Sequence, residues 1–321
     1  MRAPVDDLAI DRAAEILRRG GLVAFPTETV YGLGARADRD DAVTKIYEAK
    51  GRPAENPTIV HVASSDAAFE LAHHASDEAR ALAKSFWPGP LTLVVRARPG
   101  AVSAIATAGG DTVALRVPTH PVARALLERA NLPIAAPSAN RSTAISPTTA
   151  EHVEKSLGSD VFVLDAGPTG FGIESTIVDV SSSPPVVLRK GSITLAELRS
   201  VVPSIEDRSA RAALEGVRMQ APGMMAKHYA PKVPLSLETS SHIADAIGSR
   251  TGFLLFEGTV APADAAHVER LPVEPKGYAS GLYACLHRLE DADVDAIIVE
   301  RPPSEPAWAA VLDRLGRASS R

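Results

Sequence analysis

The densest set of residues suited to binding an anion is the stretch Lys50-Gly51-Arg52-Pro53-Ala54-Glu55-Asn56-Pro57, in which Lys50, Arg52 and Asn56 can converge their donors. Lys50 also closes a helical run that begins near Asp40, so its charge equally suits a helix C-terminus, with Gly51 as a left-handed stop. His61 lies on the strand-like run Thr58 to Ala63, on the same face as Ile59 and Ala63. A hydrogen-bonded core imidazole and a ligand contact both fit it. On the run Thr112 to Val117, Arg116 shares its face only with the small residues Thr112 and Ala114. That leaves room for a carboxylate held bidentately, although an exposed edge strand would read the same way. Ser138 and Asn140, two apart after the strand-like run Pro133 to Ala136, place short polar groups where α/β sheets bind ligands. Both are also ordinary turn formers. The loop from Asp165 to Thr176 carries Gly167, Gly170 and Gly172 ahead of Ser175, which permits close backbone approach as well as a tight turn.

Other chemistries are excluded by missing patterns. There is no G-x-x-x-x-G-K-[ST] loop, no G-x-G-x-x-G between a strand and a helix, and no G-x-S-x-G elbow. His73 and His74 are adjacent on a helical run and point about 100° apart, so they do not share one metal ion. The single cysteine, Cys285, rules out an internal disulfide and any multi-cysteine metal site.

These groups must be positioned by elements that the periodicity indicates. Helices are predicted over Asp6–Arg19, Asp40–Ala49, Asp66–Ala72, Asp77–Phe86, Pro121–Ala130 and Thr148–Leu157. Strands are predicted over Leu22–Phe25, Thr58–Ala63, Leu91–Ala97, Thr112–Val117, Pro133–Ala136, Val161–Leu164, Ser175–Val180 and Val186–Arg189. From Pro203 to Pro234 no period persists, which reads as a linker. Beyond it, runs at Ser240–Ile247, Gly252–Phe256, Lys276–Leu289, Val294–Glu300 and Ala307–Leu315 alternate as in a small βαβ unit. The chain of 321 residues, 45% hydrophobic and 23% charged, accordingly reads as an α/β protein with domains at 1–202 and 234–321 joined by a linker at 203–233. A net charge of -5 argues against a nucleic-acid coating protein, and no run of about 18 apolar residues exists to span a bilayer. The acidic N-terminus is unlike a secretory signal, so a cytoplasmic setting is expected.

Taken together, the segments Pro26-Thr27-Glu28-Thr29-Val30-Tyr31-Gly32-Leu33-Gly34, Lys50-Gly51-Arg52-Pro53, Pro137-Ser138-Ala139-Asn140 and Glu174-Ser175-Thr176-Ile177-Val178-Asp179 resemble the YrdC-like family. The segment Ala221-Pro222-Gly223-Met224-Met225-Ala226-Lys227-His228-Tyr229-Ala230-Pro231 makes the chain similar to that family's long two-domain form, the threonylcarbamoyl-AMP synthases. The resemblance implies a twisted open sheet flanked by helices, followed by a smaller Rossmann-like α/β domain. It implies a nucleotidyltransferase that converts L-threonine, bicarbonate and ATP, with Mg²⁺ bound to the nucleotide, into threonylcarbamoyl-AMP, pyrophosphate and water. That product serves tRNA processing, through the transferase proteins that make N6-threonylcarbamoyladenosine at position 37. Weak RNA binding is also implied; a membrane association is not.

By the same resemblance, ATP is held by Lys50, Arg52, Asn56, Thr112, Ser138, Asn140, Ser146, Arg189, His228 and Tyr229, with Lys50 and Arg52 as the catalytic pair. L-Threonine is held by Thr29, His61, Arg116, Ala136 and Ser175, and no protein side chains are expected to bind the metal. A core of about 200 residues has a radius of gyration near 17 Å, whereas some 25 extended residues reach roughly 80 Å. The linker is thus long enough to cross the site and bring His228 and Tyr229 over the nucleotide as a lid. Met225-Ala226 departs from the family pattern there, and the C-terminal domain is short for the long form.

Overall fold

The computed structural model describes residues 1–209, 228–243 and 250–319. Most of the linker, including Met225-Ala226, and the end of the helix expected at Ser240–Ile247 lie outside the described residues.

An eleven-stranded mixed sheet organises the first two thirds of the chain. From one edge to the other its strands are Arg2–Pro4, Phe162–Asp165, Val23–Pro26, Tyr31–Arg36, Ile134–Ala135, Ile59–His61, Thr112–Arg116, Leu91–Arg96, Thr176–Asp179, Val186–Arg189 and Glu206–Asp207. Ile59–His61 and Thr112–Arg116 run parallel and in register, so that His61 lies beside Arg116. Side chains on the latter strand divide as their period of two demands: Val113 and Leu115 enter the large core, and Ala114 packs in a smaller cluster with Ile59 and Ile177.

Helices cover this sheet because their apolar stripes are continuous. Asp7–Arg18 is capped by the Asp6 carboxylate and buries Ile10, Ala13, Ala14 and Leu17. It packs in the same cluster as Val122, Leu126 and Leu127 of the helix Pro121–Ala130. Asp40–Lys50 ends at Gly51 in the left-handed region, which turns the chain sharply toward Arg52.

A second sheet of four parallel strands, in the order Leu235–Glu238, Ala296–Glu300, Thr251–Phe256 and His267–Leu271, forms the C-terminal part with the helices Pro275–Asp291 and Ala309–Ala318. Val30, Ile145 and Ile173 of the first part belong to the same apolar cluster as Tyr283, Leu286 and Leu315 of the second.

Several elements differ from the expectation. The segment Tyr31–Arg36 is a strand although Gly32 and Gly34 weaken its pattern. A side chain at Gly34 would meet Phe25 at 2.8 Å and Ile134 at 2.9 Å, so close strand packing requires the glycine. Leu195–Val201 is a helix with a full capping box from Thr194 and Glu197. The segment read as pure linker starts inside the sheet, where Glu206–Asp207 pairs parallel with Val186–Val187. His267–Leu271 and Leu235–Glu238 are further strands that the coarse periodicity did not separate from loops.

Candidate active site

Strand ends and turns place nine of the expected residues around one cavity: Thr29, Arg52, His61, Arg116, Ala136, Ser138, Arg189, His228 and Tyr229 line it, together with Glu174. The turn Thr27–Val30 closes on itself, with Thr27 Oγ1 donating to Val30 O at 2.6 Å, and so presents Thr29 to Arg116. Pro137–Asn140 is carried along the strand Tyr31–Arg36, since Leu33 N donates to Pro137 O and Ala139 N donates to Tyr31 O.

Three arginines line this space, and each is almost wholly buried: Arg52 is 8% exposed, Arg116 3% and Arg189 4%; Lys50, 2% exposed, is not among the lining residues but bonds to one of them, Ser138. Lys50 Nζ donates to Ser138 O at 2.6 Å and also to Asn140 O. Arg52 donates from Nη2 to Asn56 Oδ1 at 2.6 Å and to Pro57 O at 2.7 Å, which explains why a turn containing Asn56 accompanies it. Arg189 is held against Ser175, with Nε donating to the carbonyl at 3.1 Å and Nη2 donating to the hydroxyl at 3.0 Å. Burial lowers the proton affinity of Lys50 well below that of an ordinary lysine and brings Arg52 down to about 10. Cations concentrated and desolvated in this way are poised for an anionic ligand.

Arg116 does not have the open face expected of it. Its Nη1 donates to Thr29 Oγ1 at 3.0 Å, and its Nη2 lies 2.8 Å from Glu28 Oε1 in an ion pair buried on both sides. His61 is held neutral, its pKa lowered to about 3 by burial and by Arg116. Its Nδ1 has no partner among the described residues.

Other expected residues support the cavity from behind. Ser146 Oγ donates to Glu174 Oε1 at 2.6 Å, which commits its proton to the protein and leaves the oxygen able to accept. Asn140 Nδ2 donates to Ala144 O at 2.7 Å, while its Oδ1 has no partner among the described residues. The Ala136 N–H is committed to Ile59 O. Thr112 opens the strand whose other end is Arg116, about 13 Å away at strand rise, and is not among the residues that line the cavity.

Two site residues escaped sequence reasoning altogether. Glu174 accepts hydrogen bonds from Ser146, from Tyr283 Oη at 3.1 Å and from Arg314 Nε at 2.7 Å. Burial would raise its pKa, but Arg314, Arg189 and Ser146 outweigh burial and bring it to about 2. Glu28, the partner of Arg116, is the other. Its signal lay in the acidic residue of an otherwise neutral turn, Pro26-Thr27-Glu28-Thr29.

His228 and Tyr229 complete the cavity from the C-terminal side. Both are buried, their rings lie 4.1 Å apart, and Tyr229 adopts the left-handed backbone region with φ 62°. Ala230 N donates to Thr143 O at 2.9 Å, which anchors the pair to the first part of the chain. Tyr229 Oη and His228 Nδ1 have no partner among the described residues.

Residues 15–191 match the family model described as "Telomere recombination", which groups Sua5, YciO and YrdC proteins, and residues 193–320 match the model described as "Threonylcarbamoyl-AMP synthase, C-terminal domain". The threonylcarbamoyl-AMP synthase of Bacillus subtilis is 42% identical over 98% of this chain and 94% of its own length. The chain belongs to the threonylcarbamoyl-AMP synthase family. The synthase of Pyrococcus abyssi is 40% identical over 99% of this chain and 96% of its own. The crystal structure of P. abyssi Sua5 complexed with L-threonine superposes with a TM-score of 0.91 at 39% identity, covering 99% of this chain and 96% of that one. The mixed α/β architecture is thus that of the synthase family, with the cavity at strand ends of its larger sheet.

Proposed function

We propose that the cavity binds ATP and L-threonine together and makes threonylcarbamoyl-AMP. The observation that carries this reading is the convergence of Arg52, Arg116 and Arg189, all buried, on one space that also holds Thr29 and His61, with buried Lys50 bonded to Ser138 of its lining. The reaction joins L-threonine, bicarbonate and ATP and releases pyrophosphate and water. Bicarbonate takes up a proton and releases water as it becomes CO₂, threonine's deprotonated amine adds to CO₂ and sheds its proton to give the carbamate, and a carbamate oxygen attacks the α-phosphorus while the bond to pyrophosphate breaks. A carbamate is a weak nucleophile, so the protein contributes chiefly by placing it in line and by offsetting charge.

Division of labour follows from position. Arg116 and Thr29 orient the amino acid, His61 offers a neutral imidazole beside it, and Lys50, Arg52 and Arg189 offset charge on the triphosphate. One cation at about 4 Å from a phosphate charge contributes roughly 4 kcal/mol at an effective dielectric of about 20. His228 and Tyr229 close the cavity and limit water. Mg²⁺ fits the site as part of the nucleotide. Both carboxylates at the cavity, Glu28 and Glu174, are engaged by arginines, and the described residues hold no group of three acidic, histidine or cysteine side chains spaced for a metal. Bound with the nucleotide, Mg²⁺ would take its ligands from phosphate oxygens and water and would offset triphosphate charge. The product passes to the proteins that threonylcarbamoylate tRNA in the cytoplasm; no helix of the described residues is long and apolar enough to cross a membrane.

The test is pyrophosphate release measured with threonine and bicarbonate each present or withheld. Release that requires both, and that is lost in Lys50→Ala and in Arg116→Ala, supports the reading. Undiminished release in both folded variants removes the assignment.

A further inference from the structure

The helix Pro275–Asp291 of the C-terminal part meets the wall of the cavity at two points on one face, a single turn apart. Tyr283 donates its hydroxyl to Glu174 Oε2 at 3.1 Å, and four residues on, His287 Nε2 lies 3.2 Å from Ser146 O. A carbonyl oxygen only accepts, so Nε2 carries the proton of that bond. Glu174 and Ser146 are joined in turn, since Ser146 Oγ donates to Glu174 Oε1 at 2.6 Å. Two residues of the first part and two of the second thus form a closed circuit, and all four are buried.

Glu174 lines the cavity, and Ser146 stands behind it with an oxygen still able to accept a hydrogen bond. The segment that carries Ser146 is held from both parts of the chain. Tyr31 N donates to Pro147 O at 2.9 Å and Thr169 N donates to Thr148 O at 3.0 Å, both within the first part. His287 holds the carbonyl of Ser146 from the second. The imidazole is itself fixed, because its ring stacks on that of His152 with centres 3.8 Å apart and planes 21° from parallel. His152 Nδ1 accepts from Thr148 N at 3.3 Å, two residues beyond Ser146. Burial is the leading cause that keeps both rings neutral, His152 at about 3 and His287 at about 4, which lets them stack. Without a donor at position 287, the Ser146 peptide turns to seek another partner, because a buried carbonyl left unpaired is costly. That turn carries Oγ away from Glu174.

We propose that His287 is a positioning residue of the nucleotide site: its bond to Ser146 O holds Ser146 against Glu174, so the C-terminal part sets one wall of the cavity. The proposal rests on the synthase reading above and on Ser146 as a contact of ATP.

ATP affinity is measured by calorimetry on the full chain, with urea unfolding alongside, for two substitutions that divide the functions of the imidazole. His287→Phe keeps a ring to stack on His152 but has no donor; His287→Gln keeps a donor but has no ring. Loss of one buried hydrogen bond weakens ATP by about fivefold to tenfold in His287→Phe, while His287→Gln stays within about threefold of wild type. The reverse order, or equal affinities in the two variants, overturns the proposal. Both substitutions are repeated on Ser146→Ala. A histidine that acts through Ser146 has little further effect there, so His287→Phe/Ser146→Ala matches Ser146→Ala within about twofold. A merely structural histidine predicts the same fivefold to tenfold loss on top of Ser146→Ala, and that result overturns the proposal. Should His287→Phe fail to fold, His287→Leu takes its place with the same two outcomes. Wild-type protein that binds ATP but forms no threonylcarbamoyl-AMP counts against the synthase reading and leaves the His287 comparison readable; wild-type protein that binds no ATP overturns both.

Discussion

Glu28 Oε1 lies 2.8 Å from Arg116 Nη2, and neither side chain is more than about 6% exposed. The arginine assigned to the substrate carboxylate is therefore already neutralised by a carboxylate of the protein. Such a pair fixes the guanidinium before substrate arrives, because Thr29 Oγ1 and Gly89 O hold its other nitrogens. It also means that an incoming carboxylate meets a nearly neutral ion pair instead of a bare cation. In the proposed threonine site, orientation would then govern recognition more than net charge.

Stability and activity should separate at this pair. Arg116→Met leaves Glu28 buried without its cation and is expected to lose about 3–5 kcal/mol of unfolding free energy. Adding Glu28→Gln should recover most of that loss without recovering threonine-dependent pyrophosphate release. Urea unfolding and the release assay on both variants check this. A stable Arg116→Met, or activity regained in the double variant, would contradict the assignment.

Tyr229 carries a buried hydroxyl with no partner among the described residues, an arrangement that costs stability unless a ligand supplies the bond. Tyr229→Phe is expected to leave unfolding free energy within about 1 kcal/mol of wild type, or to raise it, while weakening ATP by roughly fivefold to tenfold. Calorimetry and denaturation on the one variant decide the matter. Equal losses of stability and affinity would assign the hydroxyl to the fold alone.

Acid should unfold the protein through its buried histidines. Burial is the leading cause that brings His61 and His228 to about 3 and His287 to about 4, and neighbouring Arg116, Arg52 and Lys155 act in the same direction. Each folded pKa lies below the unfolded value near 6.5, so the unfolded chain binds more protons between about 6.5 and 3. The stability these groups carry is complete above pH 6.5 and falls as the pH drops, by up to about 1.4 kcal/mol per pH unit for each histidine. Glu174, lowered to about 2, adds a loss in the same direction below about pH 4.5. Urea midpoints from pH 7.5 to 5 test the sign, and a flat profile would refute it.

Much of the fold was legible in the sequence because its helices and central strands keep their periods. Asp77–Phe86, Pro121–Ala130 and Val186–Arg189 have the predicted bounds. The strand Tyr31–Arg36 was hidden by Gly32 and Gly34, and the value of Gly34 lies in contacts with Phe25 on the neighbouring strand and with Ile134, 100 positions on. The cationic turn at Lys50 and Arg52 was readable since it is local. Arg314 was not, because its partner Glu174 is 140 positions away. A signal nonetheless existed: Arg314 falls on the stripe of Val311, Leu315 and Ala318, the buried face of an amphipathic helix, where an arginine requires a buried partner. Ser146 and Thr112 are similar. Their long-range setting could not be read from the sequence either: Ser146 donates to Glu174, 28 positions on, and Thr112 stands at the opposite end of its strand from Arg116.

Gly172 provides the sharpest test of how the two parts meet. Its φ of 70° is already unfavourable for an L side chain, and a Cβ there would press into the carbonyls of Ser280 and Ala279 on the helix Pro275–Asp291. Backbone carbonyls in a helix cannot swing aside, so Gly172→Ala must either unfold the loop or shift that helix outward. Such a shift pulls Tyr283 from Glu174 and loosens the wall that seats Tyr229. The expected result is a loss of about 2–4 kcal/mol in unfolding free energy, from strain at positive φ and overpacking together. A fall in ATP affinity should accompany it. Ser280→Ala is a useful control, since it keeps the carbonyl that the new methyl would strike and removes only a hydroxyl that donates to Gly277 O. If Gly172→Ala matched wild type in urea and in calorimetry, the close approach of loop and helix would have no energetic consequence.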